Sequence, residues 1–392
     1  MGVMHKLSNA DWPRREDLAA LVAALGADNL RWVGGAVRDT LLGLPVKDID
    51  AATPLHPTEV IAALKTAGIR SIPTGIEHGT ITALLTGGPV EITTLRHDVS
   101  TDGRRAIVAF ATEWSEDAAR RDFTINALYA DPVTLEISDY FGGLDDLAAR
   151  RVRFIGDARE RIREDHLRIL RYYRFQARFG SVLDAEGEEA CSELAPMLKG
   201  LSRERVAMEL LSLLGLPDPG ETVNRMAANG VLAIVLPEAD PTPLAALIAF
   251  EQAQNAAPDA LRRLAALLPP DPKLADNVAA RLRLSTAQRR RLGAMARRDA
   301  VTEPQVLAYQ QGVEIARDLL LLTGRPTGPL ENWSPPTFPL KGGTIVARGV
   351  AAGPDVARIL KAVEVRWIAE GFPDAERIAA MLSEELSPKP SP

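Results

Sequence analysis

The sequence predicts an α+β protein in which β-strands occur in the first part of the chain and α-helices make up the rest. Short β-branched runs alternate with amphipathic helical stretches as far as residue 155. From Asp157 onward the apolar residues recur with the period of a helix, and few strand-like runs remain. A chain of 392 residues is also long for one hydrophobic core, so we expect more than one domain.

The predicted elements alternate along the first part of the chain. In the first 95 residues the residue pattern predicts helices at 11–26, 36–42 and 58–67, and strands at 31–33, 47–52, 80–85 and 90–95. The last two strands are separated by Thr-Gly-Gly-Pro, which is typical of a hairpin. The later predicted elements are a strand at 106–110, a hairpin within 129–140, a short helix from 142, a strand at 151–155 and a long helix at 159–179.

Composition narrows the class of protein. A charged fraction of 25% and a formal net charge of −6 argue against a uniformly basic surface for nucleic acid. Cys191 is the one cysteine in the sequence, which excludes an intrachain disulfide and a cysteine-based zinc site. No apolar run approaches the length of a membrane span, and the first ten residues lack the apolar core of a secretory signal. We therefore expect a cytoplasmic protein.

Residues 31–53 combine a glycine turn with two carboxylates. Gly34 and Gly35 lie between a strand and a helix, so their backbone N–H groups are expected at a helix N-terminus, where a phosphate binds readily. Asp48 and Asp50 share one face of the next strand and repel each other. A shared divalent cation relieves this repulsion, and Mg²⁺ fits best because it takes carboxylates together with substrate phosphates. The alternative is a solvated strand edge, which is the commoner meaning of an isolated Asp-X-Asp pair.

The string RRDFTINAL at residues 120–128 is the most specific in the sequence. Its paired arginines, Arg120 and Arg121, can hold a triphosphate. Asp122 or Asn126 can form hydrogen bonds with ribose hydroxyls, and the 2′-hydroxyl separates ribonucleotides from deoxyribonucleotides. The alternative is a capped helix start with an exposed arginine pair.

The predicted helix at 159–179 contains the string EDHLR. Asp165 and Arg168 are three residues apart, so on a continuous helix they share a face and could project together into a groove. An ordinary salt-bridged pair is the commoner meaning of this spacing. Residues 201–205 open the next helix with a serine cap, and we expect them to support the structure rather than take part in chemistry.

Two arginine-rich stretches are candidates for RNA binding. On the helix at 159–179, Arg171, Arg174 and Arg178 could meet an RNA backbone or a triphosphate. Residues 281–298 contain seven arginines and no acidic residue, including the run Arg289, Arg290 and Arg291. This stretch predicts either contacts with the phosphates of an RNA or a solvated helix face.

The strings GGAVRD with DID, RRDFTINAL and EDHLR resemble, in sequence and in order, three motifs of the class II tRNA nucleotidyltransferase and bacterial poly(A) polymerase family. The resemblance covers roughly residues 30–205. It implies a nucleotidyltransferase-fold head with a mixed β-sheet, followed by an all-α neck, body and tail. The boundaries we expect are a catalytic head at 1–155, a neck with the base-reading helix at 156–215, a tRNA-binding body at 216–325 and a tail at 326–392.

The resemblance also implies roles for individual residues. Asp48 and Asp50 would be catalytic and hold Mg²⁺, and the nucleotide would contact Gly34, Gly35, Arg38, Arg121, Asp122, Asn126, Asp165 and Arg168. Glu91, between two apolar residues on a strand, has the pattern of a third metal ligand, although an outward-facing glutamate is common. Residues 96–113 resemble the flexible loop of the members that add the complete CCA sequence, with its charged residues at Asp98, Asp102, Arg104 and Arg105.

The implied activity is Mg²⁺-dependent, template-independent addition of C, C and A to the 3′ end of tRNA from CTP and ATP, with release of pyrophosphate. The partners are therefore tRNA and the two nucleotides, with no membrane and no protein partner expected. A bacterial poly(A) polymerase carries the same motifs and is the nearest alternative, although the weakly acidic carboxy-terminal region argues against it. A catalytically silent RNA-binding protein on the same scaffold is an alternative of another class.

Overall fold

The computed structural model of the chain describes residues 6–7, 10–101, 106–298 and 303–387. The chain divides into two compact units, Met1–Pro237 and Glu238–Pro392. Throughout the described ranges, each helix is too short or too polar to cross a membrane.

The first unit contains the β structure. Its strands in the described residues are β1 (Arg31–Val33), β2 (Ile49–Thr53), β3 (Arg70–Gly75), β4 (Thr80–Leu85), β5 (Gly88–Thr94), β6 (Arg96–Thr101), β7 (Ala106–Phe110), β8 (Leu128–Ala130) and β9 (Ile137–Asp139). Seven of these form one sheet in the order β3-β4-β5-β2-β1-β8-β9, and β6 pairs with β7 separately. Strands β2 and β5 are parallel and their neighbours antiparallel, which confirms the expected mixed sheet.

Helices surround the sheet and continue beyond it. Those of the first unit are α1 (Glu16–Leu25), α2 (Gly35–Leu41), α3 (Pro57–Thr66), α4 (Trp114–Ala119), α5 (Gly143–Ala148), α6 (Ala158–Glu164), α7 (Arg168–Phe179), α8 (Ala185–Glu193), α9 (Arg203–Leu214), α10 (Gly220–Ala228) and α11 (Val231–Val235). The predicted order of helices and strands through α3 is confirmed, as are the hairpins β4–β5 and β8–β9.

The predicted strand at 151–155 is wrong. Within the described residues, this segment forms only isolated bridges, from Phe154 to Phe123 and from Arg151 to Val182. Its backbone instead binds the arginine-rich motif, because Thr124 N donates to the Arg153 carbonyl at 3.0 Å and Ile155 N donates to the Asp122 carbonyl at 3.2 Å. The segment therefore holds that motif in place rather than extending the sheet.

The predicted long helix at 159–179 is also wrong, because it is broken at Asp165. Helix α6 ends at Glu164 and α7 begins at Arg168, with Asp165 in an extended conformation at φ −149° and ψ 104°. The Asp165 side chain accepts a hydrogen bond from Leu167 N at 3.1 Å, and its carbonyl accepts one from Arg168 N at 2.9 Å. A short carboxylate that bonds nearby backbone groups competes with helix formation in this way.

Aromatic rings pack α7 against the segment that precedes β8 and the segment that follows β9. Phe175 lies 5.1 Å from Phe123 between ring centroids, and Tyr172 stacks on Phe154 at 5.6 Å. All four side chains are buried. Rings of this size dominate the energetics of a core, so this contact fixes α7 relative to the motif at residues 120–128.

The second unit is entirely helical in its described residues. Its helices are α12 (Thr242–Ala253), α13 (Ala260–Leu267), α14 (Pro272–Arg281), α15 (Thr286–Met295), α16 (Pro304–Gln311), α17 (Val313–Leu322), α18 (Gly342–Val346), α19 (Pro354–Ala369) and α20 (Ala375–Leu386). A buried ion-pair cluster lies among α12, α13 and α17. Glu251 accepts hydrogen bonds from Arg262 Nε at 2.7 Å and Arg263 Nε at 2.9 Å, and Arg262 also reaches Asp318.

Removing the charge of Glu251 should destabilise the second unit. Glu251 is 1% exposed, and Glu251→Gln leaves two buried guanidinium groups with less compensation. Breaking a buried pair from one side costs about 3 kcal/mol, so urea unfolding should begin at a clearly lower concentration. The control is Glu370→Gln on the exposed Arg377–Glu370 pair, which should unfold like the wild type. Equal unfolding midpoints for Glu251→Gln and the wild type would contradict this.

Candidate active site

The glycine turn brings β1, α2 and β2 together around one point. Gly34 follows β1 with φ +67° and ψ −126°, a conformation that favours glycine, and precedes α2. A Cβ at Gly34 would lie 3.5 Å from Arg121 Nη1 and 3.9 Å from Asp50 Oδ2. The missing side chain thus leaves space between a basic and an acidic group, with backbone N–H groups at the start of a helix nearby.

Three carboxylates lie near one another at the start of β2. Asp50 is half-buried on β2 and pairs in register with Glu91 on the parallel strand β5, while Asp48 is exposed just before β2. Burial, the charge of Glu91 and, more weakly, the charge of Asp48 raise the pKa of Asp50 to about 6, although Arg121 acts in the opposite direction. The crowding of negative charge expected from the sequence is therefore present.

The donor set suits a cation that needs few protein ligands. Among the described residues, no group of three or more histidine, cysteine, aspartate or glutamate side chains is arranged to enclose a metal ion. Mg²⁺ is commonly held by one or two carboxylates, with waters and substrate phosphates completing the shell. Asp48 and Asp50 fit that pattern, and Glu91, exposed on the neighbouring strand, is close enough to raise the pKa of Asp50.

A cleft of about 520 Å³ opens beside Asp50. It brings together most of the site residues expected from the sequence, namely Gly34, Gly35, Arg38, Asp50, Arg121, Asp122, Asn126, Asp165, Arg168 and Arg171. It is also lined by Arg120, the other member of the expected arginine pair, and by Arg96, Leu167, Phe175 and Arg205, for which the sequence predicted no contact with the nucleotide. Residues from the sheet and from the helices that follow it thus form one polar, strongly basic site.

A chain of hydrogen bonds connects the two sides of this cleft. Arg171 Nε on α7 donates to Asp122 Oδ2 at 2.8 Å, and Asn126 Nδ2 donates to Asp122 Oδ1 at 2.9 Å. Arg38 Nη1 in turn donates to Asn126 Oδ1, and Arg38 also pairs with Asp39. The side chains expected to contact ribose therefore hydrogen-bond to one another and to α7 in this structure.

Asp165 and Arg168 both line the cleft, but the expected i, i+3 pair on one helix face is wrong because the helix breaks between them. Asp165 Oδ2 accepts a hydrogen bond from Arg205 Nη2 of α9 at 2.6 Å. Arg168 instead binds Glu164, the Arg161 carbonyl at 2.8 Å and the Arg120 carbonyl at 3.1 Å. Sequence spacing could not identify Arg205, because it lies 40 residues from its partner.

The arginines of α7 that were candidates for RNA binding are ion-paired. Arg171 pairs with Asp122, Arg174 with Glu209 of α9 at 2.6 Å, and Arg178 with Asp39 at 3.1 Å. The charges of these three arginines are therefore largely neutralised by ion pairs that join α7 to neighbouring segments of the first unit.

The basic stretch of the second unit is also mostly neutralised. Arg289 pairs with Asp276, and Arg291 pairs with Asp318 at 2.7 Å and Asp259 at 2.9 Å. Arg290, between them, is exposed and has no ion pair to any described residue. The acidic partners lie on other helices and loops, so the local sequence could not show that these arginines are ion-paired.

The flexible-loop residues are described only in small part. Asp98 lies on β6, whose backbone pairs with β7. Asp102, Arg104 and Arg105 lie outside the described residues.

Comparisons with known proteins place this geometry in a family. Residues 30–153 match the model of the poly A polymerase head domain, and residues 182–242 match that of a probable RNA and SrmB-binding site of polymerase A. The mitochondrial CCA tRNA nucleotidyltransferase 1 of Mus musculus is 35% identical over 91% of this chain and 87% of its own length. The chain belongs to the CCA tRNA nucleotidyltransferase family. It is therefore a nucleotidyltransferase, as the three motifs led us to expect.

Other members and solved structures agree with this assignment. The human mitochondrial enzyme of the same name is also 35% identical, over 91% of this chain and 87% of its own length. The crystal structure of the Bacillus stearothermophilus CCA-adding enzyme in complex with CTP superimposes with a TM-score of 0.75 at 28% identity, over 96% of this chain and 98% of that one. The family fold therefore extends over both units and not only over the motif region.

Gly34→Ala should weaken nucleotide binding, whereas a glycine substitution with the same backbone strain away from the cleft should not. The new Cβ would strain the turn through its positive φ and would fill the space between Arg121 and Asp50, so we expect the dissociation constant for CTP to rise at least about tenfold. Gly312→Ala is the matched control. Gly312 also precedes a helix in a glycine-favouring conformation, at φ 91° and ψ 150°, and a Cβ there would meet no atom within 4 Å.

Both variants should lose about 1 to 3 kcal/mol of stability through backbone strain. Isothermal titration with CTP and Mg²⁺, alongside thermal unfolding, separates the two effects. Unchanged CTP affinity in Gly34→Ala would contradict the placement of the nucleotide at this turn.

Proposed function

We propose that this protein adds C, C and A to the 3′ end of tRNA, using CTP and ATP and releasing pyrophosphate. One observation carries the proposal: the carboxylate of Asp50 and the base-reading candidates Asp165 and Arg168 line the same cleft. A site that both activates phosphoryl transfer and recognises a base with amino-acid side chains requires no nucleic-acid template. The likeness to CCA-adding enzymes supports the same assignment.

The triphosphate would bind at the glycine turn. The backbone N–H groups at the start of α2 and the guanidinium of Arg121 offer donors and positive charge to its phosphates. The 3′-hydroxyl of tRNA then attacks the α-phosphate, and the bond to pyrophosphate breaks as the new ester bond forms. Asp48 and Asp50 would hold Mg²⁺, which would supply activation of the hydroxyl and stabilisation of the charge that develops.

The base would be read on the other side of the cleft. Cytosine and adenine both carry an exocyclic amine, whereas uracil and guanine carry a carbonyl at the corresponding position. The carboxylate of Asp165 can accept a hydrogen bond from such an amine and repels a carbonyl. Arg205 orients this carboxylate, and Arg168 provides donors for the ring acceptors next to the amine.

The remaining expectations belong to the same proposal. We propose a cytoplasmic enzyme whose head, neck, body and tail occupy residues 1–155, 156–215, 216–325 and 326–392. Gly34, Gly35, Arg38, Asp122 and Asn126 complete the nucleotide site, the last two mainly by fixing the arginines around them. Glu91 is a supporting carboxylate next to Asp50, and the charged loop at residues 96–113 serves the change from C to A addition.

The decisive experiment measures the products formed on tRNA that lacks its 3′ CCA end, with Mg²⁺ and CTP alone, ATP alone or both. We expect two C with CTP alone, and C, C and A followed by a stop with both nucleotides. Asp48→Asn with Asp50→Asn should abolish nearly all incorporation, because the metal site is lost. The exposed Asp145→Asn on α5 should leave it unchanged.

Other products would replace the proposal. Long A tracts from ATP alone would indicate a poly(A) polymerase. Binding of tRNA without incorporation under any of the conditions would indicate a silent RNA-binding protein.

Among the arginines of α15, we propose that Arg290 contacts tRNA whereas Arg289 and Arg291 stabilise the second unit. Arg290 lies on α15 and Arg297 lies just beyond its end, and both line an open groove together with Gly293 and Ala294, which stand between them in the sequence. Small residues between two basic ones let an RNA backbone approach the helix closely.

Arg290→Glu should therefore weaken tRNA binding and reduce the slope of log affinity against log salt by about one. The control is Arg358→Glu, which reverses the charge of an arginine that is 63% exposed on α19. Filter binding of tRNA at several salt concentrations measures both quantities. The same affinity and salt slope in Arg290→Glu and the wild type would contradict this role.

A further inference from the structure

Helix α4 ends next to the arginine pair of the cleft, and its buried residue Asp117 binds both arginines. Asp117 is 1% exposed. Its Oδ1 accepts hydrogen bonds from Arg120 Nε at 2.7 Å and Nη2 at 2.6 Å. Its Oδ2 accepts from Arg121 Nη2 at 3.0 Å. One carboxylate thus holds two of the guanidinium groups that line the cleft.

Tyr129 on β8 completes this arrangement. Its hydroxyl donates to Asp117 Oδ2 at 2.6 Å and accepts from Arg121 Nε at 2.9 Å. The Tyr129 ring is fully buried, with Trp114 and Tyr140 each packed edge-on against it at 6.0 Å. A hydroxyl on a ring held in this way can move little, so Arg121 is fixed by two rigid partners.

The backbone beyond Asp117 also binds arginines of the following helices. The Ala119 carbonyl accepts from Arg161 Nη1 at 3.1 Å, and the Arg120 carbonyl accepts from Arg168 Nη2 at 3.1 Å. The end of α4 therefore orients arginine side chains on both sides of the cleft.

Asp117 remains ionised in this setting. Its burial would raise its pKa, but the charges of Arg121 and Arg120 and the hydrogen bond from Tyr129 lower the pKa to about 2. Its negative charge is therefore present at neutral pH and opposes the repulsion between the two neighbouring guanidinium groups.

We propose that Asp117, supported by Tyr129, is the positioning residue of the arginine pair, and that it orients Arg121 and Arg120 to receive the β- and γ-phosphates of the nucleotide. This inference rests on the proposed function, because it takes a nucleoside triphosphate as the occupant of the cleft. Orientation before binding matters because a flexible arginine loses side-chain entropy when it meets a phosphate, and a fixed one has already lost it. Asp117 itself does not line the cleft.

The chain offers a closely matched control for Asp117. Asp146 on α5 is also fully buried, pairs with two arginines, Arg151 and Arg153, and accepts a hydrogen bond from the hydroxyl of Thr124 at 2.7 Å. Those two arginines do not line the cleft. Asp117→Asn and Asp146→Asn therefore remove the same kind of buried charge, and the two differ in which arginines they release.

The test compares the binding of CTP and CMP, each with Mg²⁺, by isothermal titration. Asp117→Asn should weaken CTP binding at least about tenfold and CMP binding much less, because CMP lacks the β- and γ-phosphates. Asp146→Asn should leave the ratio of the two affinities as in the wild type. A wild-type ratio in Asp117→Asn would overturn the proposal, as would the same shift in both variants.

If Asp117→Asn does not fold, the variant Tyr129→Phe provides a second test of the proposal. Tyr129→Phe retains the buried ring and removes the hydroxyl, so it should lower the CTP-to-CMP affinity ratio in the same direction but less. A wild-type ratio in Tyr129→Phe would then overturn the proposal. This comparison measures binding and not transfer. If the wild-type protein binds CTP but does not transfer the nucleotide, the proposed function is refuted. The comparison of the variants still tests the role of Asp117 in that case.

Discussion

The ion pair between Asp122 and Arg171 holds together the two sides of the active-site cleft. Asp122 lies in the segment that leads into the sheet, and Arg171 lies on α7, at 2.6 Å between the nearest charged atoms. Although burial would raise the pKa of Asp122, the charge of Arg171 and the hydrogen bond from Asn126 lower it to about 2. A carboxylate in this state favours the packed arrangement throughout the neutral pH range.

The other contacts around the cleft extend this link. Asn126 donates a hydrogen bond to Asp122 and accepts one from Arg38. The guanidinium of Arg38 lies 4.3 Å from the ring centroid of Phe179 on α7. Arg38 is thus held by partners from both sides of the cleft. Arg121 Nη1 lies 3.5 Å from where a Cβ of Gly34 would be, and its charge acts on Asp50, which suits Arg121 for the triphosphate. The residues that line the cleft are therefore held in place by a framework of charged side chains.

Local sequence was a good guide where local geometry decides the structure. The turn at Gly34 and the strand that carries Asp50 follow from glycine and from alternation of polar and apolar residues, and both are present. The helix at 159–179 was mispredicted because its periodicity is correct on both sides of Asp165, and one carboxylate bonding to the backbone is enough to break it. Spacing along a helix therefore could not give the geometry of Asp165 and Arg168.

Contacts between segments that are distant in the sequence also could not be predicted from the local pattern of residues. Asp165 pairs with Arg205, and Arg291 with Asp318, over 40 and 27 residues of sequence respectively. A run of arginines without nearby acids resembles an RNA-binding surface, and only the folded chain shows which of them have acidic partners. The buried cluster of Asp117 with Arg120, Arg121 and Tyr129 was missed for a related reason, because a short acidic stretch before the motif has the ordinary pattern of a helix start.

In the function we propose, Asp165 reads the base in the same cleft in which Asp50 supports transfer. The most direct test is the rate of incorporation of CTP and of UTP by Asp165→Asn on tRNA lacking its CCA end. An asparagine can donate to the uracil carbonyl, so the preference for CTP over UTP should fall by roughly tenfold or more, in line with the worth of a base-specific hydrogen bond. If both rates fall by the same factor and the preference persists, Asp165 does not read the base.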